Sequence, residues 1–264
     1  MTAVELEGAY NVRDLGGLRT VSGARTRHGL IYRGDSLDAI TSADAELLFG
    51  KLRIGTIVDL RTKAETELSR EKLPVPRFRF SVLVEGRLGT EPFPSDEPAE
   101  LAKVYLGNLD DGRAAVKGTF EVVAGNLPRG VATLFHCAAG RDRTGIMAAL
   151  LLGVVGVTNG QIAQDYVQSN RNARRVTRKL AENPLYANGA DRPEIILLRE
   201  QTILGFMRLV REQFGGPEQF CLDSGVTPET IAVLREYFVA APELEQAGDP
   251  DAAAGAATPC SGLD

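Results

Sequence analysis

Three observations predict an α/β fold, with a central, mostly parallel sheet flanked by helices. Short apolar runs of strand length alternate with longer stretches of helical spacing. An apolar strand, a polar loop and a buried helix follow one another directly between residues 132 and 157. The chain has 264 residues, of which 44% are apolar, which suits one sizeable domain or at most two.

Taken in order, residues 30 to 33 form a short strand. Ser42 to Leu52 carries apolar residues at helical spacing behind a Thr41-Ser42 cap, and Thr56 to Leu60 is a buried strand. Phe78 to Val84 is a further strand. Residues 85 to 99 are polar and rich in Gly and Pro, a mobile loop that leads into a helix near 98 to 107. A connection of this length in a compact domain is usually functional or disordered, so 85–110 is expected to serve as a lid. Residues 113 to 126 are helical. Ala132 to His136 is a strand, and the run from Thr144 is a buried helix. Thr158 caps a helix reaching about Asn170. Arg171 to Glu182 is strongly basic; its Arg171, Arg174, Arg175, Arg178 and Lys179 are most simply a solvated helix face, with attraction of acidic substrates as the alternative. Residues 193 to 214 form a long amphipathic helix. Thr227-Pro-Glu-Thr opens the last helix with an N-cap, a proline at the first helical position and an early acid. The domain is expected over 1–241, with a disordered tail over 242–264, where Ala, Gly, Pro and acidic residues dominate. There is no internal repeat.

Composition narrows the function. A net charge of −5 argues against nucleic-acid binding and against a polybasic membrane surface. The longest apolar run, Ile146 to Val157, is too short to span a bilayer, so no integral membrane segment is expected. The first residues lack the basic and apolar regions of a signal peptide, so the expected location is cytoplasmic, with export without a cleavable signal left open. Three cysteines, at 137, 221 and 260, give no disulfide framework, and two histidines leave little for a zinc site. No metal and no cofactor are expected.

Residues 136 to 145 read His-Cys-Ala-Ala-Gly-Arg-Asp-Arg-Thr-Gly, on a strand-loop-helix junction. Loop amides and a helix N-terminus there make an anion site. Gly140 permits the backbone angles that turn several N–H groups inward. Cys137 would lie at the bottom of that nest, where loop amides, the helix end and Arg143 favour its thiolate, a competent nucleophile toward phosphorus. The planar fork of Arg143 can hold two phosphate oxygens through an in-line transfer. Asp142 is a candidate proton donor, and Thr144 can donate to the sulfur. His136 is expected to organise the loop. A buried cysteine before a helix is often just a small hydrophobe. That reading gives no reason for the charges of Arg141-Asp142-Arg143 at the mouth of a buried helix.

The loop resembles the Cys-x5-Arg-Ser/Thr signature of cysteine-dependent protein tyrosine phosphatases. More narrowly, it is similar to bacterial atypical tyrosine and dual-specificity phosphatases with His-Cys-x-x-Gly-Lys-Asp-Arg-Thr-Gly. Asn11-Val-Arg-Asp-Leu-Gly-Gly17, Tyr32-Arg-Gly-Asp-Ser-Leu37, Ile57-Val-Asp-Leu-Arg61, Asp165-Tyr-Val-Gln-Ser-Asn170 and the stretch from Gly225 to Arg235 fit the same family in order. Arg141 stands where the pattern has Lys, keeping charge but changing shape and hydration. The resemblance implies a cysteine-dependent phosphatase fold with a helical lid insertion. It implies metal-independent phosphomonoester hydrolysis through a phosphocysteine, with phosphotyrosine as the expected substrate and phosphoserine/threonine, phosphoinositide and inositol phosphate left open as alternatives. The partner would be a phosphorylated protein, phospho-metabolite or lipid, cradled by His136, Ala138, Ala139, Gly140, Arg141 and Thr144. The family's common Trp-Pro-Asp acid loop is absent, since the chain has no Trp. Asp142 is therefore the first choice for the acid, with Asp96, Asp110 and Asp111 in reserve.

Other positions carry smaller expectations. Arg61 faces the phosphate or, more simply, pairs with a carboxylate. Asn11, Arg13 and Asp14 are expected to fix a loop against the core, with a place on the substrate rim as the alternative. Cys221 and Cys260 are bystanders. Two rival classes are a rhodanese-like sulfurtransferase, whose loop usually lacks the Arg-Thr-Gly helix opening, and a catalytically idle phosphate-binding module. Phosphate release from p-nitrophenyl phosphate, set against thiosulfate:cyanide transfer, separates them.

Overall fold

Five strands make the central sheet of the computed structural model: β1 Arg13–Asp14, β2 Ile31–Gly34, β3 Ile54–Asp59, β4 Arg77–Arg79 and β5 Ala132–His136. Residues 2–67, 69, 72–83, 97–182, 184–187 and 197–241 are described. The order across the sheet is β1-β2-β5-β3-β4. β1 runs antiparallel to β2, and every other neighbouring pair is parallel. β5 lies at the centre and is buried along its whole length, which is why Ala-Thr-Leu-Phe-His reads as continuous rather than alternating. Gly34 of β2 and Asp59 of β3 both pair in register with His136 of β5. The segments following all three strands therefore leave the sheet at one edge, where open parallel sheets bind ligands.

Eleven helices surround the sheet among the described residues. They are α1 Ser42–Ala45, continuing as a wider turn over Glu46–Lys51, α2 Lys63–Glu67, α3 Pro98–Asp111, α4 Arg113–Asn126, α5 Asp142–Val154 and α6 Asn159–Gln168. After these come α7 Ala173–Ala181, α8 Pro184–Ala187, α9 Glu200–Phe214, α10 Pro217–Asp223 and α11 Pro228–Phe238. One large core joins α3, α4, α5, α6, α9, α10 and α11 to the sheet. A smaller core packs the chain start and residues 47–52 against the other side of β2, β3 and β5. α5 is buried on nearly every face, as its sequence Ile-Met-Ala-Ala-Leu-Leu-Leu requires.

Several expectations shift. The strand over 78–84 shrinks to the exposed edge strand β4, which pairs only with β3; Val84 lies outside the described residues. α5 begins at Asp142, so Arg143 belongs to the first helical turn. The basic stretch is a tight turn over Ser169–Asn172 followed by α7, whose Ala173 and Val176 are buried. The long helix starts only at Glu200, behind an extended Arg199, with 193–196 outside the described residues. The expected lid divides. Residues 84–96 lie outside the described set, whereas α3 buries Leu101, Ala102, Tyr105, Leu106 and Leu109 and packs on α9. Its apolar stripe makes α3 a core element rather than a cover. The expected tail, 242–264, also lies outside the described residues. Among the described residues no helix is long and apolar enough to cross a membrane.

Candidate active site

The loop between β5 and α5 is held from behind by its own carbonyl groups. The Ala138 carbonyl accepts from the Ser36 amide at 3.1 Å, and the Ala139 carbonyl from Asn11 Nδ2 at 2.8 Å. Arg33 Nη2 donates to the Gly140 carbonyl at 2.8 Å and reaches the Arg141 carbonyl at 3.4 Å. With these oxygens turned outward across trans peptide planes, the corresponding N–H groups face the opposite side and form a nest. Gly140 sits at φ +68°, and a Cβ there would lie 2.6 Å from the Asp35 nitrogen and the Gly34 carbonyl carbon. Only glycine meets both conditions. Cys137, 2% exposed, follows β5 at the base of this cradle.

Arg143 meets Glu65 in a two-pronged pair, Nη1 to Oε2 at 2.7 Å and Nη2 to Oε1 at 2.8 Å. Glu65 is itself fixed. The Thr62 amide and hydroxyl donate to Oε2 at 2.8 and 2.9 Å, and Thr62 Oγ1 accepts from the Glu65 amide at 3.3 Å. This is a capping box whose acid also serves a residue 78 positions away. The Tyr186 hydroxyl donates to Glu65 Oε1. Burial alone would raise the Glu65 carboxyl, but the charge and hydrogen bonds of Arg143 outweigh it and hold it down at about 2. Burial opposes the charge on Arg143, while Glu65 and then Cys137 keep it firmly protonated. Each terminal nitrogen retains a second hydrogen after pairing with Glu65, so the fork can still grip an oxyanion.

Asp142 opens α5 and accepts through Oδ1 from the Tyr105 hydroxyl of α3, which lies 2.7 Å from the Tyr166 hydroxyl. Burial, and then the Asp142 charge, push Tyr105 well above its ordinary value, so it stays a proton donor. Of the reserve acids, Asp110 is bound to Arg113 at the exposed end of α3, and Asp96 lies outside the described residues. Asp111, the last residue of α3, also has an interaction partner.

His136 points away from the nest. Its Nδ1 donates to the Cys137 carbonyl at 3.1 Å, and Nε2 is 3.9 Å from Asp59 Oδ2. Burial pulls its pKa below 6.5, so it is neutral at pH 7. The Thr144 hydroxyl lies 3.5 Å from the Gly34 carbonyl. Arg61 binds Asp59 and Asp38. Burial, and then Glu218, push the Cys221 thiol up to about 12, so it stays unreactive.

A cavity of about 310 Å³ opens beside the loop, bounded by Ser36, Ala138, Arg61, Glu65, Lys179 and Tyr186. Lys179 corrects the solvated-face reading of its basic run. It reaches inward and donates to the Gly8 carbonyl at 2.9 Å, Asp35 Oδ2 at 3.0 Å and the Ser36 carbonyl. All three of its hydrogens are thereby committed. Glu65, Tyr186, Tyr105, Arg33, Asp165 and Asp35 are the site residues to which sequence reasoning gave no role. The Thr62-to-Glu65 spacing is a local signal that was available for one of them.

Residues 4–240 match the model of the tyrosine phosphatase family. The chain is similar to a Cupriavidus necator protein provisionally named a tyrosine-protein phosphatase, at 29% identity over 238 residues, 87% of this chain and 86% of that one. It is 28% identical to a tyrosine-protein phosphatase of Nostoc commune over 77% of this chain and 72% of that one. It is 23% identical to the triple specificity protein phosphatase PtpB of Mycobacterium tuberculosis over 89% of this chain and 98% of that one.

Proposed function

The chain belongs to the tyrosine phosphatase family, and from that premise we propose that it hydrolyses phosphotyrosine in two steps through a phosphocysteine on Cys137. The observation that carries the mechanism is the loop whose carbonyls are all tied outward around a buried cysteine and a forked arginine. The Cys137 thiolate attacks phosphorus and the phosphorus–oxygen ester bond breaks. Loop amides and Arg143 hold the non-bridging oxygens throughout. Asp142 gives a proton to the departing phenolate oxygen. Water then attacks the phosphocysteine, Asp142 takes a proton from it, and inorganic phosphate and the thiolate are restored. Tyr105 occupies Oδ1 of Asp142 and leaves Oδ2 as the working oxygen.

The cavity beside the loop supports an aryl ester as substrate. It has room for a ring, and its two cations, Arg61 and Lys179, are already committed to protein acceptors. It therefore offers poor neutralisation for the extra phosphates of an inositol polyphosphate. A chemistry that needs a reduced thiol also favours a reducing, cytoplasmic setting. The test is a panel of phosphotyrosine peptide, phosphoserine/threonine peptide and inositol phosphate. Fastest turnover of the phosphotyrosine peptide is expected; preference for the inositol phosphate would overturn the substrate reading. For the acid, Asp142→Asn should slow alkyl phosphates by about 10²–10⁴-fold and p-nitrophenyl phosphate far less. Equal loss for both leaving groups would reassign the proton transfer.

A further inference from the structure

We propose that Arg13 and Arg33, which share the single carboxylate of Asp165, form a buried cationic base whose uncompensated charge strengthens the loop's grip on a phosphate anion. This rests on the phosphatase reading and adds a positioning pair to it. Arg33 is fully buried, and Arg13 and Asp165 are 3% and 1% exposed. Arg13 Nε bonds Asp165 Oδ1 at 2.8 Å, and Arg33 Nη1 bonds Asp165 Oδ2. The other Arg13 donors go to neutral oxygens: the Asn11 carbonyl, the Asp165 carbonyl and the Ser169 hydroxyl. Those of Arg33 go to the Gly140 and Arg141 carbonyls, and Arg33 Nε has no partner among the described residues. Two guanidinium groups thus face one carboxylate, an excess of one positive charge in the interior.

An uncompensated buried charge is costly, so a counter-ion is expected. The geometry names its place. Arg33 touches the outer side of the same peptide units whose N–H groups line the nest. A negative charge at Cys137 stabilises protonated Arg33, so by linkage Arg33 stabilises negative charge at that point. Burial, and then Arg13, pull the Arg33 pKa down to about 10, which leaves it charged at neutral pH. Of the other cations near the loop, Arg143 is balanced by Glu65 and Lys179 by Asp35. The bound phosphate therefore also draws on charge from beneath the loop. Three separate sequence segments, around Asn11-Val-Arg13, Tyr32-Arg33 and Asp165, converge on this one base.

The test uses the full chain, with inorganic phosphate as the probe, at about pH 6, where a buried lysine is more readily charged. Phosphate inhibition of p-nitrophenyl phosphate hydrolysis is measured, with calorimetric binding for any variant too slow to assay and thermal unfolding alongside. Arg33→Met and Arg13→Met should each weaken phosphate by about tenfold, the scale of one unit charge acting through protein. Arg13→Met should lose less stability than Arg33→Met: in each the remaining arginine and Asp165 form a balanced pair, but Arg33→Met also takes the side-chain donor away from the Gly140 and Arg141 carbonyls. Arg33→Lys and Arg13→Lys keep the charge and should recover most of the affinity. Phosphate affinity unchanged in both Met variants would overturn the proposal. So would equal loss in the Met and Lys variants, the result of a purely structural clamp that only the arginine fork can make. If Arg33→Met does not fold, the Arg13 pair decides alone. A parent that binds phosphate but hydrolyses no phosphoester would instead strike the phosphatase reading.

Discussion

Two buried ionic clusters flank the strand that delivers Cys137, and they are of opposite sign. On the β2 side, Arg13 and Arg33 share Asp165 and reach the loop carbonyls. On the β3 side, Asp59 and Asp38 share Arg61. This second cluster closes the turn after β3 through the Arg61 amide, 3.1 Å from Asp59 Oδ1, and lies beside His136 and the cavity rather than under the loop carbonyls. The geometry is similar, but the consequences differ. Excess positive charge lies beneath the anion nest, where it aids the chemistry, and excess negative charge lies beyond the neutral His136, where it fixes a turn. Counting ion pairs would treat the clusters alike; the sign of the surplus and what it touches separate them.

The largest contrast should come from the shared residue of the cationic cluster. Asp165→Asn leaves two buried arginines without a carboxylate and should cost about 3–5 kcal/mol in unfolding free energy. Denaturant titration checks this. A loss below about 1 kcal/mol would mean that the two charges are relieved elsewhere.

Next comes Glu65→Gln, which keeps the side-chain shape but removes the charge facing Arg143. Displacement of the fork should lower kcat by about 10²-fold. Phosphate affinity should hold or improve, since Arg143 is no longer neutralised. Loss confined to KM would contradict the positioning role.

Acid titration sharpens the comparison further. His136 has a lowered pKa in the folded chain, so stability should begin to fall as the pH drops below 6.5. The fall should steepen below 4.5, where unfolded Glu takes up protons while Glu65 holds out to about 2. Asp59 acts in the same direction. Burial would raise it, but His136 and Arg61 together bring it to about 2. The stability given by these carboxylates is present above their ordinary values and lost as the pH falls through the folded ones. A melting temperature flat from pH 7 to about pH 3 would refute this assignment. The smallest effect is expected for Asp38→Asn, at most about 1 kcal/mol, because that carboxylate is partly exposed and its loss leaves Arg61 balanced by Asp59.

The sequence made the catalytic loop legible because its information is contiguous. A strand, a glycine at a forced turn, a cysteine, an arginine and a helix start sit within ten residues. The α/β order was legible for the same reason, since periodicity survives in long elements such as α4 and α5. The partners were not. Arg13 and Asp165 are 152 residues apart, and Arg33 and Asp165 are 132 apart. Nothing local tells an arginine which carboxylate it will meet. Lys179 was misplaced because a run of charges along a helix does not say which member faces inward. β1 and β4 are too short to show a period, and the aromatic pair behind Asp142 joins α3 to α6 across the core.

The central claim is that Cys137, in a nest built by outward-tied carbonyls, carries the phosphoryl group. Rapid acid quench during turnover of a phosphotyrosine peptide, followed by mass spectrometry of the digest, tests it most directly. A phosphoryl adduct is expected on the peptide containing Cys137, appearing before steady state and missing in Cys137→Ser, which should fold and bind phosphate but not turn over. Steady turnover with no adduct, an adduct on another residue, or hydrolysis by Cys137→Ser at the parental rate would contradict the account.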